Sequence, residues 1–271
     1  MRIECKNLRF SYGSREILHG VSFAAGRGEL IAVLGQNGVG KSTLFRCLLG
    51  FLRPAAGSLR VAGREIATFS RRELAREIAY IPQAYQPAFD HTVLDCVLMG
   101  AASRVGTFAA PSRDQTARAL ALLDSLGIAA LAERGCRSIS GGEQQLMLLA
   151  RALMQDAGTL IMDEPTANLD YGNACRVMER VESLAREGYT VIFSTHEPNH
   201  GLRYATRVLA MQRGSILADG APVAVLTPAL LSALYGVEVL IGEVGSGAER
   251  YRVCIPASGR TDKEARDGRE A

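Results

Sequence analysis

The sequence predicts an α/β fold: a mainly parallel sheet, a helical block inserted into it, and an antiparallel strand region near the N-terminus. Three observations predict it. Gly35-Gln-Asn-Gly-Val-Gly-Lys-Ser-Thr43 follows a short apolar, partly β-branched run (residues 30–34) and precedes a run without breakers to Leu49, which makes a strand, loop and helix. Two later apolar runs, Leu160-Ile-Met162 and Val191-Ile-Phe193, alternate with a helical pattern, as a parallel sheet requires. Between these parts, from about residue 85 to 155, the pattern is helical.

Taken in order, residues 2–10 alternate weakly, with Ile3, Cys5, Leu8 and Phe10 apolar. They read as an antiparallel strand turning at Ser11-Tyr-Gly-Ser14. Residues 16–24 and 57–62 read as further short strands, punctuated by Gly26, Gly28, Gly57 and Gly63. Ile78-Ala-Tyr-Ile81 is another, stopped by Pro82. Within the helical block, residues 92–99 read as one helix. Ser112-Arg-Asp-Gln115 and Ser140-Gly-Gly-Glu143 match capping boxes that open helices running to Gly127 and over 144–154. Val177, Val181, Leu184 and Ala185 share one face of a helix ended by Gly188. Residues 207–219 read as a hairpin turning at Gly214. Charged residues and glycine dominate from Ala257, so disorder is expected from about there. One domain is expected over 1–240, with a C-terminal extension over 241–271.

Composition narrows the function. The chain has 271 residues, 48% hydrophobic and 22% charged, ordinary for a globular protein. A net charge of +3 is too small to suggest a nucleic-acid partner, and the absence of Trp argues against a base-stacking platform. The six cysteines are scattered without a CxxC, which points to reduced thiols rather than zinc or a disulfide framework. The N-terminus has no signal-like apolar region, and no apolar run is long enough to span a membrane. Any membrane role is expected to come through a partner.

The loop at 35–43 fits G-x-x-x-x-G-K-[ST], whose backbone amides cradle phosphates. Its only side-chain cation, Lys41, would meet the β- and γ-phosphates, and the Ser42 hydroxyl could ligate Mg²⁺. Asp163-Glu164 ends the strand at 160–162. Alone it could be a helix cap; beside a phosphate loop, Asp163 suits Mg²⁺ and Glu164 suits proton abstraction from water. His196 follows the strand at 191–193. Strands ending at 34, 163 and 195 would all feed one edge of a parallel sheet, where ligands bind. That raises His196 as a γ-phosphate sensor. Ser140-Gly-Gly142 opens a helix and offers its N–H groups to an anion. Taken singly, Gln83 is a loop glutamine and Tyr12 an aromatic in a turn.

Together, Tyr12, the 35–43 loop, Gln83, Ser140-Gly-Gly-Glu-Gln144, the 160–164 strand end, Ala167-Asn-Leu-Asp170 and His196 stand in the order and approximate spacing of ABC-transporter ATPase subunits. They resemble that family's A-loop, Walker A, Q-loop, signature, Walker B, D-loop and switch histidine. The resemblance implies a P-loop NTPase (RecA-like) core with antiparallel β- and helical subdomains, binding ATP and Mg²⁺. It implies nucleotide contacts from Tyr12, Gly35, Asn37, Gly38, Gly40, Lys41, Ser42, Thr43, Ser140, Gly141, Gly142 and Asp170. Glu164, His196 and Gln83 would be catalytic, and Ser42, Gln83 and Asp163 would hold the metal. A head-to-tail homodimer is implied, with Ser140 and Gly142 of one chain facing the γ-phosphate held by Lys41 of the other. Integral-membrane permease subunits, and indirectly a substrate-binding protein, would be partners at the cytoplasmic face of the inner membrane. The signature departs from L-S-G-G-Q at Ile139 and Glu143, and Thr159 is polar in the Walker B strand.

Residues 92–100 with Gly106-Thr-Phe108, His196-Glu-Pro-Asn199, Leu226-Thr-Pro228 and Leu234-Tyr-Gly236 resemble importers of iron–siderophores, haem, cobalamin or molybdate/tungstate. The first two stretches look closest to the molybdate/tungstate branch. The other readings are a soluble non-transport ATPase of the same family, acting in DNA repair or translation, and a small-molecule kinase or GTPase switch. The chain has one Walker A, no heptad arm and no NKxD guanine-reading motif.

Overall fold

The computed structural model describes residues 1–85, 89–104, 110–246 and 249–257. β1 (Ile3–Tyr12) and β2 (Arg15–Ala25) form an antiparallel hairpin, the first strand running two residues beyond the expected stretch. β3 (Leu30–Leu34) is buried throughout and feeds the glycine-rich loop and α1 (Lys41–Leu48). β4 (Ala56–Val61) and β5 (Arg64–Glu65) complete a four-stranded antiparallel sheet of order β2-β1-β4-β5. α2 (Arg71–Glu77) comes next, before β6 (Ile78–Ile81). Sequence periodicity missed this seven-residue helix, although Ser70 and Glu73 form the reciprocal cap that starts it.

The helical block holds α3 (Val93–Leu98), prolonged by a 3₁₀ turn over Met99–Ser103, then α4 (Arg113–Ser125) and α5 (Gly141–Met154). Both expected capping boxes form. Ser112 N–H donates to Gln115 Oε1 at 2.8 Å and Ser140 N–H to Glu143 Oε2 at 2.7 Å, with each serine hydroxyl accepting in return. Thr92 and Asp95 make a third box at α3. The expected Gly106-Thr-Phe108 feature lies outside the described residues.

The remaining elements are β7 (Thr159–Met162), α6 (Tyr171–Arg186), β8 (Thr190–Thr195), α7 (Pro198–Tyr204), β9 (Arg207–Gln212), β10 (Ser215–Gly220), α8 (Pro222–Val225), α9 (Pro228–Tyr235), β11 (Val239–Ser246) and β12 (Glu249–Pro256). A six-stranded sheet has the order β10-β9-β3-β8-β7-β6 and is parallel except for the β9–β10 hairpin.

Because strand side chains alternate between faces, this sheet divides two cores. Leu30, Ala32, Leu34, Leu160, Met162, Val191 and Phe193 face the helical block and α6. Ile31, Val33, Ile161 and Ile192 face α1 and the antiparallel sheet. Burying each large side chain contributes about 1.5–3 kcal/mol, so both layers hold the sheet that carries the loop.

The C-terminal region differs from expectation. The boundary placed at about 240 falls inside β11, and the antiparallel β11–β12 hairpin packs on α7 and α9. The amide of Asn199, on α7, brackets one residue of β12. It accepts from Cys254 N–H at 2.8 Å and donates to Cys254 O at 3.1 Å. Residues 258–271, where disorder was expected, lie outside the described part.

Candidate active site

Four neighbouring parallel strands bring the chemistry to one edge. β6, β7, β8 and β3 end at residues 81, 162, 195 and 34, and the loops after them carry Gln83, Asp163-Glu164, His196 and Gly35. The edge is laced together: Asp163 N–H donates to Ile81 O at 2.9 Å, and Gly35 N–H to Thr195 O at 3.3 Å.

The glycines of the loop have steric reasons. A Cβ on Gly35 would strike the Met211 carbonyl. Gly40 is the N-cap of α1 at φ 109°, a conformation that favours glycine, and it lies against Ile17 and Leu18 of β2. Asn37, Gly38 and Ser42 are exposed and Thr43 is half-buried, so this rim faces solvent at a helix N-terminus. Tyr12 is at the tip of the β1–β2 hairpin, 45% exposed, edge-on to Phe10 with ring centroids 4.8 Å apart.

Lys41 is only 5% exposed. Its Nζ folds back over the loop and donates to Gly35 O at 2.6 Å and Gln36 O at 3.1 Å, 3.7 Å from Glu164 Oε1. Burial pushes its pKa below the ordinary lysine value, opposed by Glu164 and then Asp163.

Glu164 is where these groups meet. Its carboxylate accepts from Gln83 Nε2 at 3.2 Å, and Oε1 is 3.4 Å from His196 Nδ1. Its backbone is held at φ 45°, a left-handed conformation that costs a non-glycine residue about 1–3 kcal/mol. Ser194 explains how that is retained. This wholly buried hydroxyl donates to Asp163 Oδ1 at 2.6 Å and accepts from Glu164 N–H at 2.8 Å. Sequence reasoning singled out His196 after β8 and passed over Ser194. Its signal was a hydroxyl within an apolar strand next to the one that ends in two carboxylates.

The donors fit Mg²⁺. A helix-terminal hydroxyl (Ser42), a carboxylate fixed by Ser194 (Asp163) and an amide (Gln83) are hard oxygen ligands, and few protein carboxylates suit an ion that also binds phosphates.

The Ser140 turn stands apart from this cluster. Gly141 lies against Leu169 and Asn168, and Gly142 against Asn173. Asp170 caps α6, accepting from Asn173 N–H at 2.8 Å and Nδ2 at 2.7 Å. Among the described residues no hydrogen bond or ion pair joins Ser140, Gly141, Gly142 or Asp170 to Lys41, Asp163 or Glu164. The Ser140 N–H bond also holds the Glu143 carboxyl below its usual pKa.

The ABC transporter family profile matches residues 18–167. The hemin import ATP-binding protein HmuV of Rhodopseudomonas palustris is 37% identical, over 91% of this chain and 95% of its own length. A probable iron chelatin transport ATP-binding protein of Helicobacter pylori is 35% identical, over 87% and 93%. A solved chain from an ABC transporter described as of metal-chelate type, in an inward-facing conformation, superposes with a TM-score of 0.85 at 32% identity, covering 95% of this chain and 98% of that one.

Proposed function

This chain belongs to the ABC-transporter family of ATP-binding subunits, and from that premise we propose that it hydrolyses ATP to drive a membrane importer of iron chelates or haem-like metal complexes. The observation that carries the reading is the convergence on Glu164 of Lys41, Gln83 and His196. The named relatives act in hemin and iron chelatin transport, which favours a metal-complex cargo over an oxyanion and an importer over DNA repair or translation.

In this reading the 35–43 amides hold the phosphates, and Lys41 leaves the loop carbonyls to meet them. Ser42, Asp163 and Gln83 would hold Mg²⁺, which when bound supplies charge neutralisation across the phosphate oxygens. Glu164 takes the proton of the attacking water, while His196 senses the γ-phosphate from the neighbouring strand. Ser140 and Gly142 serve the nucleotide of a second copy, giving a head-to-tail homodimer. Among the described residues no helix is long and apolar enough to cross a membrane, so attachment is through permease subunits. A cavity of about 880 Å³ is a suitable seat for a permease segment. Phe51, Leu52, Tyr80 and Pro82 line one side and Leu148 and Arg151 of α5 the other, next to Gln83.

Co-expression with the permease tests this. The chain is expected to co-sediment with membranes, and reconstituted ATPase activity to rise when a binding protein loaded with ferric chelate or haem is added. Molybdate should give no rise. A chain that stays in the soluble fraction overturns the importer reading, and stimulation by molybdate alone overturns the cargo.

A further inference from the structure

The segment carrying His196 is bonded to the C-terminal part of the chain, and this has a consequence for hydrolysis. His196 lies between the end of β8 and the N-cap of α7, Glu197. Among the described residues no backbone N–H of α7 donates to its carbonyl, the His200 N–H being taken by Glu197 O at 3.1 Å. The partner comes from α9 instead: Tyr235 Oη donates to His196 O at 2.9 Å. Burial pushes the Tyr235 phenol well above its usual pKa, so it stays a donor across working pH. On the inner side, Thr195 Oγ1 accepts from Glu197 N–H at 3.0 Å. Beyond the turn, the Asn199 amide holds β12 through Cys254, and Arg203 of α7 stacks over the Tyr251 ring at 4.3 Å. His196 itself is 49% exposed, and its Nδ1 lies 3.4 Å from Glu164 Oε1.

We infer that Tyr235 and Asn199 are positioning residues for His196, so that the α9–β12 region is part of the hydrolytic apparatus. Tyr235 fixes the peptide that carries His196, and Asn199 fixes the helix that follows it. Among the described residues neither hydrogen-bonds to the nucleotide loop, so they act on turnover and not on ATP affinity. The inference rests on the proposed role of His196.

The test is a double-mutant cycle in the full chain, reading hydrolysis and ATP binding separately. Tyr235→Phe keeps the ring and removes only the donor. It should lower kcat about 3- to 10-fold, the worth of one neutral hydrogen bond, with KM and the midpoint of thermal unfolding nearly unchanged. Asn199→Ala should lower kcat by a similar factor, with some loss of thermal stability because it also unpairs Cys254 of β12, and Asn199→Gln should fail to restore the rate because its longer amide cannot bracket Cys254. In a His196→Ala background, Tyr235→Phe should cost nothing more. Equal losses with and without His196 would overturn the inference, as would a loss confined to KM or to thermal stability. If His196→Ala leaves hydrolysis unchanged, the sensor role assigned to His196 fails first and this inference with it. If His196→Ala is crippling and Tyr235→Phe is silent, only this inference fails.

Discussion

The C-terminal edge of the six-stranded sheet and the N-terminus of α5 can each face an anion, but they are built from different materials. The sheet edge gathers polar and charged side chains from four strand ends, buries Lys41 and Asp163, and holds Glu164 in a left-handed backbone conformation. The α5 terminus has a capping box between Ser140 and Glu143 and the backbone amides of its first turn. One region therefore carries chemistry at a cost in strain and desolvation. The other offers backbone amides at a helix N-terminus beside the capping carboxylate of Glu143. A surface of that kind makes sense when the phosphate comes from elsewhere, which is the physical content of the proposed head-to-tail dimer.

The sharpest break of this comparison is Glu164→Gln. The amide keeps the reach of the side chain and loses the proton acceptor, so hydrolysis is expected to fall about 10²- to 10⁴-fold. ATP binding should persist through Lys41, Ser42 and Asp163, and the unhydrolysed nucleotide should stabilise a dimer by mass action. Ser140→Arg in that background should abolish the dimer while leaving ATP bound. Sedimentation with and without Mg-ATP, alone and with the permease, checks both. Closure that survives Ser140→Arg would mean that the α5 terminus faces no nucleotide.

Lys41→Ala comes next in size. Losing a charge-assisted phosphate contact is worth about 1.5–3 kcal/mol, so ATP affinity should fall about 10- to 150-fold in a labelled-nucleotide titration. The lowered pKa of Lys41 adds a sign. The protonated form binds phosphate, so wild-type affinity should fall as pH rises through that lowered value, sooner than an ordinary lysine would allow. Lys41→Ala should lack this alkaline dependence, and an identical profile in both proteins would remove Lys41 from the phosphate site.

Much of the sheet edge was legible because each of its strands is a short apolar run that ends on its functional residue. Leu160-Ile-Met162 before Asp163 and Val191-Ile-Phe193 ahead of His196 need no long-range information beyond parallel pairing. The capping boxes at Ser112 and Ser140 were legible because a cap is local chemistry. What was missed is non-local or too short for periodicity. Ser194 joins the Asp163 carboxylate to the Glu164 N–H just beyond the end of the neighbouring strand, and only strand order reveals it. α2 spans two turns, and its capping signature at Ser70 was the cue passed over. The β11–β12 hairpin alternates, but it depends on Asn199 some 55 residues away, and the Tyr235 bond to His196 crosses 39. The likeness of His196-Glu-Pro-Asn199 to a transporter branch pointed at these residues without indicating that Asn199 bonds to β12.

The smallest expected effect concerns Glu143, where the signature carries a carboxylate in place of an amide. Its side chain accepts from Ser140 N–H at 2.7 Å at the positive end of α5, and that bond lowers its pKa. A carboxylate with a depressed folded pKa contributes stability that is present above the unfolded value, near 4.3, and is lost as pH falls through the folded value. Glu143→Gln keeps an acceptor and drops the charge. The site is partly solvated, so at neutral pH the loss should be only a few tenths of a kcal/mol, and it should vanish in acid, where Glu143 is itself neutral. Thermal unfolding of both proteins at pH 7 and in acid below the lowered folded value of Glu143 reads this. The dimer should respond with the opposite sign. If α5 faces a phosphate of the second copy, Glu143 repels it, and Glu143→Gln should tighten the ATP-dependent dimer about 2- to 5-fold at low salt and less at high salt. A variant that loses monomer stability and gains dimer affinity separates the two uses of one helix terminus. A dimer indifferent to Glu143→Gln at low salt would place the phosphate away from α5.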